Sequence, residues 1–125
     1  MIKVGSTLIV LDNSGGRRVK CIKLFNKSPR NSSTVGDIVL VSLKTLRRII
    51  KKRKVKKNVM YLGVIVSTKK FVNRPNGVSV NSAFNYIVLL NKEKNIIGKR
   101  IRGCVFQELR FKGFSKIISI AESVL

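Results

Sequence analysis

The chain has 125 residues, room for one domain and too little for two of ordinary size. Hydrophobic residues make up 44% of it, enough to bury a core, which excludes a disordered polybasic tail. Lys and Arg number 27 against 5 Asp and Glu, a net charge of +22 that resists compaction and calls for a polyanion: nucleic acid first, an anionic membrane second.

Short β-type runs fill the first three quarters. Residues 7–11 are apolar and end at Asp12-Asn13-Ser14-Gly15-Gly16, a turn of residues that tolerate left-handed backbone. Residues 17–25 form a second strand whose apolar side chains fall on both faces, so alternation does not say which side is buried. Residues 26–34 are polar, contain Pro29 and read as loop. Residues 38–43 and 59–68 are aliphatic and β-branched, as in strands covered on both sides or closed into a small barrel. Pro75-Asn76-Gly77 marks a turn between Val72 and Val78, and residues 86–90 give a further strand. Strands of this length and spacing predict a mainly β chain built as a small barrel. Over 104–110, Val105, Phe106 and Leu109 fall at helical spacing, punctuated by Gly103 and Gly113. The apolar residues that follow, Ile117, Ile118, Ile120 and Leu125, fix no element type but pack back on the barrel.

Catalytic chemistry has little to work with. The chain contains no His, which removes the commonest general base and metal ligand. Asp12, Asp37, Glu93, Glu108 and Glu122 are scattered, with no pair at catalytic spacing. Cys21 and Cys104 stand alone and read as small core positions in a reducing compartment. We expect a non-enzymatic protein without cofactor or metal. No signal peptide is expected at the N-terminus, and no apolar stretch approaches the roughly 20 residues that span a bilayer, so membrane insertion is not expected.

The densest charge runs from Lys44 to Lys57, with Arg47, Arg48, Lys51, Lys52, Arg53, Lys54 and Lys56 between them. Lying between two apolar strands, it is expected to protrude as a hairpin or long loop. Arg17-Arg18, Lys69-Lys70, Arg74, Lys99-Arg100 and Lys116 place further charge around several faces, a distribution suited to folded RNA. Aromatics are 6% of the chain, and most of its phenylalanines sit among apolar neighbours; core packing is the expected role, leaving recognition of RNA shape and phosphate.

Several blocks together resemble one family over essentially the whole chain: the universal large-subunit ribosomal protein usually numbered fourteen, in its bacterial and organellar form. They are Asp12-Asn13-Ser14-Gly15 with Arg17-Arg18-Val19, Val35-Gly36-Asp37-Ile38-Val39, Lys54-Val55-Lys56-Lys57, Thr68-Lys69-Lys70, Arg74-Pro75, Val88-Leu89-Leu90-Asn91, Gly98 with Arg100-Ile101, and Glu108-Leu109-Arg110 with Phe114 and Lys116-Ile117. The resemblance implies a five-stranded β-barrel over about 1–103, a projecting basic β-hairpin at about 44–58 and a short C-terminal helical part over about 104–125, all one domain. It implies an rRNA-binding constituent of the large subunit that helps form an intersubunit bridge. Its partners would be large-subunit rRNA, small-subunit rRNA across the interface, neighbouring ribosomal proteins and a ribosome-silencing factor.

The candidate rRNA-binding residues are Asn13, Ser14, Arg17, Arg18, Lys44, Arg53, Lys54, Lys56, Lys57, Lys69, Lys70 and Arg74, with Lys99, Arg100 and Lys116 at the subunit-joining face. The chain departs from the family pattern at residues 49–53, where a Pro-Arg-Gly turn is usual, at Asn76, at Asn81-Ser82-Ala83-Phe84 and at Cys104. Lys, Asn and Ile make up about a third of the chain, the bias of an AT-rich genome, so an organelle-encoded protein of the mitochondrial matrix is expected ahead of a plastid or bacterial one. The rival function is a free-standing basic nucleic-acid chaperone, which would wash off large subunits at moderate salt.

Overall fold

A computed structural model describes residues 2–25, 32–47 and 55–125. Strands β1 (Thr7–Val10), β2 (Gly16–Leu24), β3 (Ile38–Leu46), β4 (Met60–Ser67) and β7 (Tyr86–Leu90) form a closed five-stranded barrel. Four of its pairings are antiparallel, and β1 closes it by running parallel to β7, with Ile9 opposite Tyr86 and Val10 opposite Ile87. Closure leaves the barrel no free edge. Its interior holds fully buried aliphatic side chains from every wall, among them Leu8, Val10, Val19, Val41, Leu43, Ile65 and Leu89.

The apolar residues on both faces of β2 have a structural cause. Its pairing to β3 shifts register between Gly16 and Arg18, Arg18 and Val19, and Cys21 and Lys23. The first and last of these leave an extra residue on β2, Arg17 and Ile22, and the middle one leaves Lys44 extra on β3, so Val19, Cys21 and Leu24 point inward while Ile22 is left exposed. Strand β4 is buried continuously from Gly63 to Ser67 because its second face is covered as well: the Phe106 N–H donates to the Val66 carbonyl at 3.0 Å. Gly63 must stay small, since a Cβ there would lie 2.5 Å from Ile87 Cδ1.

Between β4 and β7, β5 (Val72–Asn73) and β6 (Ser79–Val80) make a small hairpin. Its turn is at Pro75-Asn76-Gly77 as expected, with Gly77 at φ +85° and the Arg74 N–H donating to the Val78 carbonyl at 2.9 Å.

The C-terminal part corrects the sequence reading. Cys104 and Val105 belong to β8 (Ile101–Val105), not to a helix; helix begins only at α1 (Glu108–Phe111), followed by α2 (Ser115–Ile120). Residues after α2 return as β9 (Ala121–Val124), parallel to β8. The segment is therefore a strand–helix–helix–strand unit. Pairing of Cys104 with Ser123 and of Val105 with Val124 overrides the apparent helical spacing, although Val105, Phe106 and Leu109 all end in one buried cluster.

The tip of the expected basic hairpin, with Arg48, Lys51, Lys52, Arg53 and Lys54, lies outside the described residues. Of its flanks, Thr45 and Leu46 pair with β2 rather than with the returning chain, which joins β3 at Leu43 through the Asn58 N–H at 2.7 Å.

Candidate nucleic-acid interface

The few acids sit close to the chain's own donors, which decides where positive charge is left over. Asp12 is buried at the end of β1. Its Oδ1 accepts from the Ser14 hydroxyl at 2.6 Å and the Ser14 N–H at 3.2 Å, and its Oδ2 accepts from the Leu89 N–H at 3.2 Å. Burial pushes its carboxyl up from the ordinary value, against the pull of the Ser14 and Leu89 donors and the Arg47 charge. Arg47 folds over this end of the barrel and donates to the carbonyls of Val10 at 3.0 Å and Gly16 at 3.3 Å.

Glu108 receives a two-pronged contact from Arg74, Nε to Oε1 at 2.6 Å and Nη2 to Oε2 at 3.3 Å. Arg74 also donates to the Leu125 carbonyl. One arginine thus ties the β5–β6 hairpin to α1 and the C-terminal strand. Burial raises the Glu108 carboxyl, but the Arg74 hydrogen bond, its own N–H and the Arg74 charge outweigh this and leave it lowered. A lowered carboxylate contributes stability that is present above its unfolded value and lost as pH falls through its folded value. Glu108→Gln should therefore cost about 1 kcal/mol at neutral pH, and the gap to the parent should close as the pH is taken below the ordinary glutamate value and on through the lowered one. Urea unfolding at neutral and acidic pH checks this; a gap that widens in acid contradicts it.

Asp37 Oδ2 accepts from the Thr34 N–H at 2.8 Å, and Glu122 Oε2 from the Gly103 N–H at 3.1 Å. Four of the five acids thus accept hydrogen bonds from the chain itself. The cations lie outside: every described lysine is exposed, and among the described arginines only Arg47 and Arg74 are partly buried.

The sequence candidates divide accordingly. Arg17 and Arg18 are both exposed, consecutive on β2 because of the bulges beside them. Lys44 is exposed near the end of β3, on the strand next to theirs. Lys56 and Lys57 are exposed just before β4. Lys69 and Lys70 are exposed beyond the other end of β4, which at about 3.3 Å per residue puts roughly 25 Å between the two groups. Arg53 and Lys54 lie outside the described residues.

Three candidates face the protein instead. Ser14 is fully buried, with its hydroxyl and N–H both on Asp12, so it cannot reach a phosphate and serves the turn. Asn13 Oδ1 accepts from the N–H groups of Lys99 at 2.8 Å and Arg100 at 3.1 Å, and the Asn13 N–H donates to the Arg100 carbonyl at 3.2 Å. Arg74 is held by Glu108 and Leu125. Asn13 positions the loop from which Lys99 and Arg100 project, both exposed; Gly98 allows that approach, since a Cβ there would lie 2.8 Å from Asn13 Oδ1. Lys116 is exposed on α2.

The aromatic reading also needs correction. Of the six phenylalanines only Phe106 is fully buried and Phe114 partly so; Phe25, Phe71, Phe84 and Phe111 are exposed. Apolar neighbours in sequence suggested burial, but short strands and loops turn successive residues to opposite sides. Cys21 is buried, as expected, whereas Cys104 is only partly so and lies 2.7 Å from the Ser123 hydroxyl. Among the described residues no cluster could hold a metal ion, and no helix is long and apolar enough to cross a membrane.

Fold and surface together define a small β-barrel protein with four of its five acids turned to its own framework and every described lysine turned out. The whole chain, residues 1–125, matches the family model described as Ribosomal protein L14p/L23e. The chain belongs to that family: it is a ribosomal protein of the large subunit, a class of structural and generally non-enzymatic constituents.

Proposed function

We propose that the chain binds large-subunit rRNA through Arg17, Arg18, Lys44, Arg53, Lys54, Lys56, Lys57, Lys69 and Lys70, and meets small-subunit rRNA across the interface through Lys99, Arg100 and Lys116 as part of an intersubunit bridge. The observation that carries this reading is the sorting of charge: every described lysine is exposed, while four of five carboxylates serve the fold. Cations on several barrel faces suit a protein embedded in folded RNA, where phosphate contacts fix position. Neighbouring ribosomal proteins would cover other parts of the surface. A ribosome-silencing factor, where the ribosome has one, would dock at the joining face.

The ribosome we infer is organellar, mitochondrial ahead of plastid, from the Lys, Asn and Ile bias of the composition.

Phosphate neutralisation releases counterions, so log K should fall linearly with log salt. Lys44→Gln, Lys56→Gln and Lys57→Gln together should flatten that slope by about 2–3 in binding to large-subunit rRNA, with an unchanged melting temperature. An unchanged slope contradicts the assignment of these three residues.

A further inference from the structure

Three of the chain's eight aromatic side chains fall within residues 71–86, and two of them stand in solvent: Phe71 is 61% exposed and Phe84 54%. The segments bearing them are fastened to each other. The Ser82 N–H and hydroxyl donate to the Thr68 carbonyl at 2.9 and 3.3 Å, and the Lys69 N–H donates to Asn85 Oδ1 at 2.9 Å. Phe84 meets Tyr86 in a T-shaped contact, ring centroids 6.2 Å apart and planes at 78°. Such a contact occupies one edge or one face of Phe84 and leaves it at least one open face, at an angle set by Tyr86. Lys69 and Lys70 immediately precede Phe71 and are exposed, and no Asp or Glu occurs anywhere in residues 68–86.

We propose that this patch is a stacking site for unpaired RNA bases, with Phe84 and Phe71 offering ring faces and Lys69 and Lys70 taking the flanking phosphates. It rests on the reading of the chain as an RNA-binding protein and goes beyond it, because phosphate contacts alone do not use bases. Exposed rings beside two lysines, in a segment whose one nearby carboxylate, Glu108, is held by Arg74, select a polyanion that also carries flat apolar faces; single-stranded nucleic acid has both. An apolar protein surface could take the rings but would leave two lysines without a counter-charge.

The natural chain has no Trp, so Phe84→Trp places a single reporter in the site. Its fluorescence should be quenched by a 12-nucleotide oligoadenylate RNA and not by an abasic strand of the same length, and the parent chain should bind the first about tenfold tighter than the second. Phe71→Ser with Phe84→Ser should bring the two affinities together without changing the salt slope; because both rings are exposed, the melting temperature should hold. Lys69→Gln with Lys70→Gln should reduce the salt slope and leave the preference for bases. Equal binding of both strands by the parent chain, or a preference that survives loss of both rings, overturns the stacking site while leaving phosphate binding intact. Loss of a neighbouring ribosomal protein from subunits carrying the serine variant, with the base preference unchanged, overturns it in favour of a protein contact. Absence of RNA binding altogether is instead a failure of the proposed function.

Discussion

Replacing Phe106 by Ala is expected to lower the stability of the isolated chain by about 3–5 kcal/mol. Phe106 is the largest fully buried side chain among the described residues, and it stands where the C-terminal unit joins the barrel. Its N–H bonds the Val66 carbonyl of β4, and its ring shares the buried cluster with Leu109 of α1 and Ile117 of α2. Truncation removes the transfer free energy of the ring and leaves a cavity that closed strands on one side and a hydrogen-bonded backbone on the other cannot fill. Against a typical total of about 5–15 kcal/mol, that is a large fraction. Urea unfolding of the purified variant measures it; a loss under about 1 kcal/mol would mean that the C-terminal unit contributes little to the core.

Asp12→Ala is the second large effect, about 2–4 kcal/mol. The substitution removes the acceptor of three hydrogen bonds, two of them from backbone N–H groups at Ser14 and Leu89, in a site without solvent access. It also releases the turn whose next residue, Asn13, holds the loop of Lys99 and Arg100. Its pH dependence runs opposite to that of Glu108. A carboxyl raised by burial contributes stability that is fully present below its ordinary value of 3.8 and lost as pH rises through its folded value. The deficit of Asp12→Ala relative to the parent should therefore be larger in acid than at pH 7. A deficit that shrinks on acidification contradicts the assignment.

Legibility in the sequence followed physical scale. The barrel strands β3, β4 and β7 were readable because β-branched aliphatic runs of that length have few other homes, and the Pro75-Asn76-Gly77 turn because Gly77 takes a positive φ. Barrel closure, β1 beside β7, links residues almost eighty positions apart and has no local signature. Residues 104–110 misled because Phe106 and Leu109 have helical spacing, while the strand partners of Cys104 and Val105 lie at Ser123 and Val124.

Within the candidate site, lysines were legible as surface because a buried ammonium without a partner is too costly. Polar residues at turns were not: Ser14 and Asn13 suit a phosphate as well as they suit Asp12 and the 98–100 loop, and only three-dimensional adjacency separates the two. Arg74 was unreadable for the same reason, its carboxylate partner being Glu108, 34 positions away. Arg47, counted within a basic run, turned out to close one end of the barrel.

The most direct test of the account is the reactivity of individual lysines toward an amine acylating reagent, read by mass spectrometry in three states: free chain, isolated large subunit and joined ribosome. All described lysines are exposed in the free chain and should react. Lys44, Lys56, Lys57, Lys69 and Lys70 should become protected in the large subunit, while Lys99 and Lys116 stay reactive there and become protected only when the small subunit joins. Lys44, Lys56 and Lys57 remaining fully reactive in the large subunit, or Lys99 and Lys116 being indifferent to subunit joining, would contradict the division of this surface into an rRNA-binding part and a joining face.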